Sequence, residues 1–332
     1  MSAPTRVALA LGSGGARGYA HIGVIQALEE RGYEIVSIAG TSMGALVGGL
    51  HAAGQLDAYT DWVTHLTQRD VLRLLDPSLK SPGAIRADKI LARVRELLGG
   101  ALIEQLPVPF TAVATDLLTR KEVWFQRGPV DAAIRASIAL PSIITPVMLN
   151  GRLLADGGLL NPVPIAPTAA SGADLTVAVS LAGEVEDHRG RTPVSESSAP
   201  RPTEEWLERF RRTATQVLDR DLVRNVTARI RSIRPGAGPG EVDELVDHTV
   251  EEVVEEVYGA LPPGLRTLDV MELSLDTMQA LVTRYRLAGY PPDLLVSVPK
   301  NACRTLDFHK AGELVDLGRR LTEEALDDLD GR

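Results

Sequence analysis

Three short stretches of this chain carry residue types that could do covalent chemistry. Gly40-Thr41-Ser42-Met43-Gly44 fits the pattern G-x-S-x-G. In that pattern a serine sits on a sharp turn between a strand and a helix, and the two glycines let strand and helix approach closely. A serine there lies at a helix N-terminus, where the helix dipole favours its alkoxide. Gly12-Ser13-Gly14-Gly15-Ala16-Arg17-Gly18 is a second glycine-rich turn ahead of a helix. Acyl transfer needs backbone N–H groups aimed at a developing oxyanion, and such a turn offers them without side chains in the way. The rival readings of this turn fail on single residues. A dinucleotide fingerprint counted from Gly12 needs glycine where Arg17 stands, and a phosphate-binding P-loop needs a Gly-Lys-Ser/Thr ending that is absent. Arg17 either orients the turn or attracts an anionic head group; the sequence leaves both open.

A serine nucleophile needs a base. The six histidines are His21, His51, His65, His188, His248 and His309, and none sits in a glycine-flanked turn. His21 and His51 fall inside helical stretches and read as structural. Asp156 is placed differently. In Arg152-Leu153-Leu154-Ala155-Asp156-Gly157-Gly158 a carboxylate ends a strand and two glycines follow. There it can reach a neighbour unhindered, or it can be an ordinary Asp-Gly turn.

The elements that must position these residues follow from periodicity. Val7–Gly12 and Glu34–Gly40 read as buried strands, and Arg17–Arg31 and Met43–Ala53 as the helices after them. Strand, glycine turn and helix, repeated, predict a parallel sheet covered by helices. Leu56–Leu75 and Ala87–Leu98 read as helices around a Pro/Ser/Gly loop at Pro77–Gly83. Val108–Thr115, Glu122–Gln126, Val147–Leu154 and Leu175–Leu181 read as strands, with Val130–Ser137 a short helix among them. Glu184–Pro202 is a polar loop rich in Ser, Pro and Arg. Two amphipathic helices follow, Thr203–Ile233 and Glu241–Tyr258. Residues 201–234 hold nine Arg and five acids, whereas 241–258 hold eight acids and no Lys or Arg. Opposite charge favours a helical hairpin that packs on itself; the alternative is a lid or membrane arm using Trp206, Phe210 and the arginines. Val270–Ala288 is a further helix, Asp293–Val298 a late strand and Thr305–Leu329 a closing helix.

At 332 residues with 44% hydrophobic content, the chain can bury the core of one large α/β domain carrying an insertion. A net charge of −9 gives no basic face for nucleic acid. Cys303 is the only cysteine, so no intramolecular disulfide forms and a cytoplasmic setting is compatible. No stretch approaches the roughly 20 apolar residues of a transmembrane helix, so the expectation is a soluble or peripheral protein at the inner membrane surface.

Taken in this order, Gly12–Gly18, Gly40–Gly44 and Asp156-Gly157-Gly158 resemble the patatin-like phospholipase family. Ala114-Thr115-Asp116-Leu117, Ile134-Arg135-Ala136-Ser137 with Pro141, and 158–164 (GLLNPVP) are similar to it as well. Pro291-Pro292-Asp293 and Leu306-Asp307-Phe308-His309 resemble a bacterial branch. The resemblance covers roughly 1–183 and 268–320 and leaves 184–266 as an insertion between the two parts of one hydrolase domain, 1–183 and 267–332. It implies a three-layer α/β/α sandwich with a mainly parallel sheet. It implies a Ser42–Asp156 dyad without histidine, an oxyanion hole from Gly14, Gly15 and Ala16, and supporting roles for Gly12, Arg17, Gly18, Gly40, Gly44, Gly157 and Gly158. The substrate class it implies is a lipid or other acyl ester, cleaved through an acyl-enzyme with no metal or cofactor. Two rivals differ from this in kind. One is a Ser-Asp-His triad with His309 as base; the other is an interaction protein on a hydrolase scaffold.

Overall fold

Eight strands form one sheet in the order β10-β9-β1-β2-β4-β8-β7, with β5 on the remaining edge of β4. These are β1 (Arg6–Leu11), β2 (Glu34–Thr41), β4 (Phe110–Asp116), β5 (Lys121–Phe125), β7 (Val147–Leu149), β8 (Arg152–Asp156), β9 (Leu175–Gly183) and β10 (Leu294–Pro299). The computed structural model describes residues 3–75, 83–85, 87–183 and 267–331. The expected loop Glu184–Pro202, the two charged helices after it and all but the last residue of the Pro77–Gly83 loop lie outside the described residues.

From β10 to β4 every neighbour is parallel. β5, β8 and β7 join antiparallel. The central strands β1 and β4 are buried almost from end to end, as strands covered on both faces must be. β10 alternates buried and exposed, as a half-covered edge strand does.

The helices are α1 (Ala20–Glu30), α2 (Met43–Ala52), α3 (Leu56–Thr64), α4 (Gln68–Leu75), α5 (Asp88–Leu98), α6 (Val130–Ser137), α7 (Thr267–Gly289) and α8 (Ala311–Asp330). Val7, Leu9 and Leu11 of β1 point into a large core shared with α1, α2 and α8. On the other face Ala10 and Ala178 meet Val163, Ile165 and Leu287 of α7. The result is the expected three-layer arrangement, with one helical layer thicker than the other. The described residues before 184 and from 272 on share one compact unit. α1 and α8 cross closely. A β-carbon on Gly23 would run into the carbonyl of Val315, and one on Gly318 into that of Ala20.

Several elements differ from the sequence reading. Val147–Leu154 is not one strand but a hairpin of β7 and β8, turned by Asn150 and Gly151 at φ 49° and 76°. Two positive φ values in succession are what an Asn-Gly hairpin turn supplies. Leu56–Leu75 breaks between α3 and α4, where Asp70 takes the N–H and hydroxyl of Thr67. Gly83 is not loop: Gly83–Ile85 (β3) pairs with Ser142–Ile144 (β6) as a small separate sheet. The closing helix starts at Ala311, because Asp307 accepts the N–H of Arg304 and turns the chain first.

Candidate active site

The sheet itself brings Ser42 and Asp156 together. β2 ends with Thr41 opposite Val113 of β4, and β8 ends with Asp156 opposite Ala114, the next residue of the same strand. Both strand ends therefore deliver their side chains to one place. At Ser42 the chain turns into α2 with φ 58° and ψ −122°, a strained conformation for a residue with a side chain. Gly40 and Gly44 allow this turn. A β-carbon on Gly40 would strike the Gly44 carbonyl, and one on Gly44 would strike the carbonyl of Leu11 in β1.

The strain is held by Ser137, which is fully buried at the end of α6. The Ser42 N–H donates to Ser137 Oγ at 2.9 Å, and Ser137 Oγ–H donates to the Val113 carbonyl at 2.6 Å. Ser137→Ala strands the Ser42 N–H in a buried site, at a cost of about 2 kcal/mol. We expect a lower urea midpoint of that size and turnover reduced about tenfold as the elbow relaxes. An unchanged midpoint would remove Ser137 from the elbow's support.

Asp156 is buried; its carboxylate accepts from the Gly158 N–H at 2.7 Å and has the Ser42 hydroxyl beside it. Burial pushes its pKa up from 3.8 to about 6, against the pull of the Ser42 hydroxyl and the Gly158 N–H. It is thus ionised at neutral pH yet far more basic than a surface carboxylate, as a general base requires.

The glycine turn faces the same point. The Gly12 N–H donates to the Val179 carbonyl at 3.0 Å and the Ser13 N–H to the Pro162 carbonyl at 2.8 Å. Ala16 was expected as a third oxyanion donor. Its N–H is instead committed to the Thr305 carbonyl at 2.9 Å, which leaves the amides of Gly14 and Gly15. Arg17 is buried, and of its two readings the geometry favours orienting the turn. Its Nε–H donates to the Gly14 carbonyl at 3.2 Å and its Nη1 to the Lys300 carbonyl at 3.0 Å. In a planar trans peptide the N–H points opposite to the C=O, so holding the Gly14 carbonyl aims the Gly15 N–H away from Arg17. His21 is structural. Burial lowers its pKa to about 4, so the neutral ring donates its Nε2–H to the Gly12 carbonyl at 2.8 Å.

Beside Ser42 opens a cavity of about 80 Å³ with a mostly apolar lining that includes Tyr19, Met43, Leu46, Ile138, Leu140 and Phe308. The rings of Tyr19 and Tyr59 meet at its wall with centroids 6.5 Å apart, and burial raises both hydroxyls, so they stay neutral. His309, the base of the triad alternative, lies in a short turn at Phe308–Lys310. Among the described residues no group of His, Cys, Asp or Glu side chains could hold a metal ion, and no helix is long and apolar enough to cross a membrane. In the sequence Ser137 stands only within a familial stretch and without a role, because that role depends on α6 lying over β4.

The family model described as Patatin-like phospholipase matches residues 9–169. An uncharacterized NTE family protein of Mycobacterium tuberculosis is 51% identical over 339 residues, 98% of this chain and 92% of that protein. Lysophospholipase nte1 of Emericella nidulans is 31% identical over 189 residues, 55% of this chain and 12% of that protein. The solved structure of VipD from Legionella pneumophila aligns over 98% of this chain and 67% of its own, at 15% identity and a TM-score of 0.48. By its match along nearly the whole length of the mycobacterial protein, and by its patatin model match, the chain belongs to the patatin-like phospholipase family.

Proposed function

We propose that this protein hydrolyses acyl esters of lipids through a Ser42–Asp156 dyad and an acyl-enzyme on Ser42. The observation that carries the reading is the placement of Ser42, on its strained turn, beside the buried carboxylate of Asp156. Asp156 takes the Ser42 proton as Oγ attacks the ester carbonyl. The amides of Gly14 and Gly15 receive the oxyanion, and the α2 N-terminus adds its dipole. Water activated by Asp156 then releases the acid. The apolar cavity supports an acyl chain over a polar substrate. A dry cavity of about 150 Å³ holds a benzene ring, so 80 Å³ suits the first few carbons of such a chain. A dyad is favoured over a triad because the groups that act on the Asp156 carboxylate are the Ser42 hydroxyl and the Gly158 N–H.

The test is a serine-directed fluorophosphonate. It should add covalently to the peptide carrying Ser42, located by mass spectrometry, and leave Ser42→Ala unmodified. A folded protein that takes no label at Ser42 returns the case to the interaction-protein alternative.

A further inference from the structure

Gly158 follows the base by two residues, and the atoms packed against it are polar. A β-carbon placed on it would crowd Ser13 Oγ at 2.6 Å and both Asp156 Oδ1 and Gln279 Nε2 at 3.0 Å. A hydroxyl, an amide and the catalytic carboxylate thus lie together around one glycine. Among the described residues neither the Ser13 hydroxyl nor the Gln279 amide nitrogen has a hydrogen-bond partner. The environment contrasts with the apolar cavity that also opens at Ser42.

Gln279 is held there firmly. On α7, Asp276 pairs with Lys300 at 2.8 Å one turn before it. Two turns after it, Arg286 pairs with Glu122 of β5 and donates to the Leu160 carbonyl at 3.1 Å. Glu122 in turn accepts from Asn161 at 3.0 Å, and the Asn161 carbonyl accepts from Thr41, the residue before the nucleophile, at 2.9 Å. The two ion pairs fix α7 on either side of Gln279, and the second is tied to the elbow itself.

We propose that Ser13 and Gln279 form the subsite that receives the alcohol oxygen as it leaves the ester, and then the water that replaces it. The proposal rests on the acyl-enzyme reading above. In acylation the bond from Ser42 Oγ to the acyl carbon forms and the carbon–alcohol bond breaks, while the Ser42 proton passes through Asp156 to the alcohol. In deacylation the water oxygen bonds to the acyl carbon, and its proton passes through Asp156 to Ser42 Oγ as that ester bond breaks. Both oxygens exchange a proton with the same carboxylate, so they occupy the same position in turn. The Gln279 N–H donates to that oxygen in both steps, and Ser13 Oγ accepts from the second O–H of the water. The ligand class is therefore water or a polar alcohol. Gln279 lies outside the matched residues 9–169, so this half of the subsite comes from the later part of the chain.

The experiment is rapid-mixing hydrolysis of a p-nitrophenyl ester by the full chain, Gln279→Leu, Gln279→Glu and Ser13→Ala. p-Nitrophenolate departs without a proton, so acylation depends little on the subsite. Gln279→Leu should release one equivalent in a burst, then turn over about tenfold more slowly than the parent. Its acyl group should be visible on Ser42 by intact mass. Gln279→Glu keeps the side chain's size but sets a second carboxylate beside Asp156, so the acid limb of its rate profile should move to higher pH. A merely structural role accumulates no acyl-enzyme. Parent-like turnover with no acyl-enzyme in both Gln279→Leu and Ser13→Ala, or an unmoved acid limb in Gln279→Glu, overturns the subsite. A parent that takes no fluorophosphonate at Ser42 overturns the hydrolase reading instead, and the subsite with it.

Discussion

Asp156→Asn should lower turnover by about a thousandfold, the scale of a lost general base, and at pH 8 it should also make the fold harder to denature. The two effects share one cause. Burial raises the carboxyl pKa from 3.8 to about 6, so the folded chain binds that proton more tightly than the unfolded chain does. The stability this contributes is complete below about pH 4 and is lost as pH rises through 6. Above that, the ionised group costs the fold about 3 kcal/mol, which a neutral amide avoids. Asparagine keeps an oxygen for the Gly158 N–H and gains a donor for Ser42 Oγ. Urea denaturation should therefore show Asp156→Asn more stable than the parent at pH 8 and equal to it at pH 4. The parent's activity should rise with pH through a midpoint near 6. A variant that keeps its activity would end the dyad assignment, and one less stable at pH 8 would show that the carboxylate is not the buried cost described.

Gly44→Ala should have the largest effect on folding. Alanine is the better helix former by about 1 kcal/mol, and Gly44 lies in the first turn of α2, so propensity alone predicts a gain. Packing opposes it. The added methyl would enter the Leu11 carbonyl, and neither α2 nor β1 can move away without opening the sheet. We expect a loss of more than about 3 kcal/mol and no fluorophosphonate labelling. Gly49→Ala, further along the same helix, is the control. There the nearest atoms are side-chain tips, Ile134 Cδ1 at 3.1 Å and Phe110 Cζ at 3.2 Å, which can give way. Similar urea midpoints for the two variants would refute the close approach.

The contrast bears on what the sequence made legible. Gly40, Ser42 and Gly44 could be read because a nucleophile turn depends on local spacing, and Val130–Ser137 because its apolar positions repeat at helical intervals. The hairpin at Asn150-Gly151 had its signal in that dipeptide, but the apolar residues on both sides hid it. β3 and β6 are three residues each, too short to show alternation. Ala16 was expected to offer its N–H because glycine turns do so. Only the arrival of Thr305 from far along the chain claims that group. Ser137 lies in a stretch that resembles the family but has no role attached to it there, and Gln279 lies in no such stretch; each matters through the strand or turn it happens to face.

The crossing of α1 and α8 also has a consequence for how the molecule comes into being. The loop that would receive the oxyanion is held by Arg17 reaching the Lys300 carbonyl, 283 residues away, and by Ala16 reaching that of Thr305. Gly23 and Gly318 lock the helices just beyond. Ser42 and Asp156 can meet across β4 once the first half of the chain has left the ribosome. The turn at Gly14 and Gly15 cannot take its shape until the last helix has emerged and docked. Closing so long a loop costs only about 0.6 kcal/mol more than closing one half its length, so the delay lies in synthesis time rather than in stability. A nascent chain would thus hold its nucleophile and base in contact well before it could stabilise a transition state, and a hydrolase capable of attacking lipid would stay idle until its translation was nearly done.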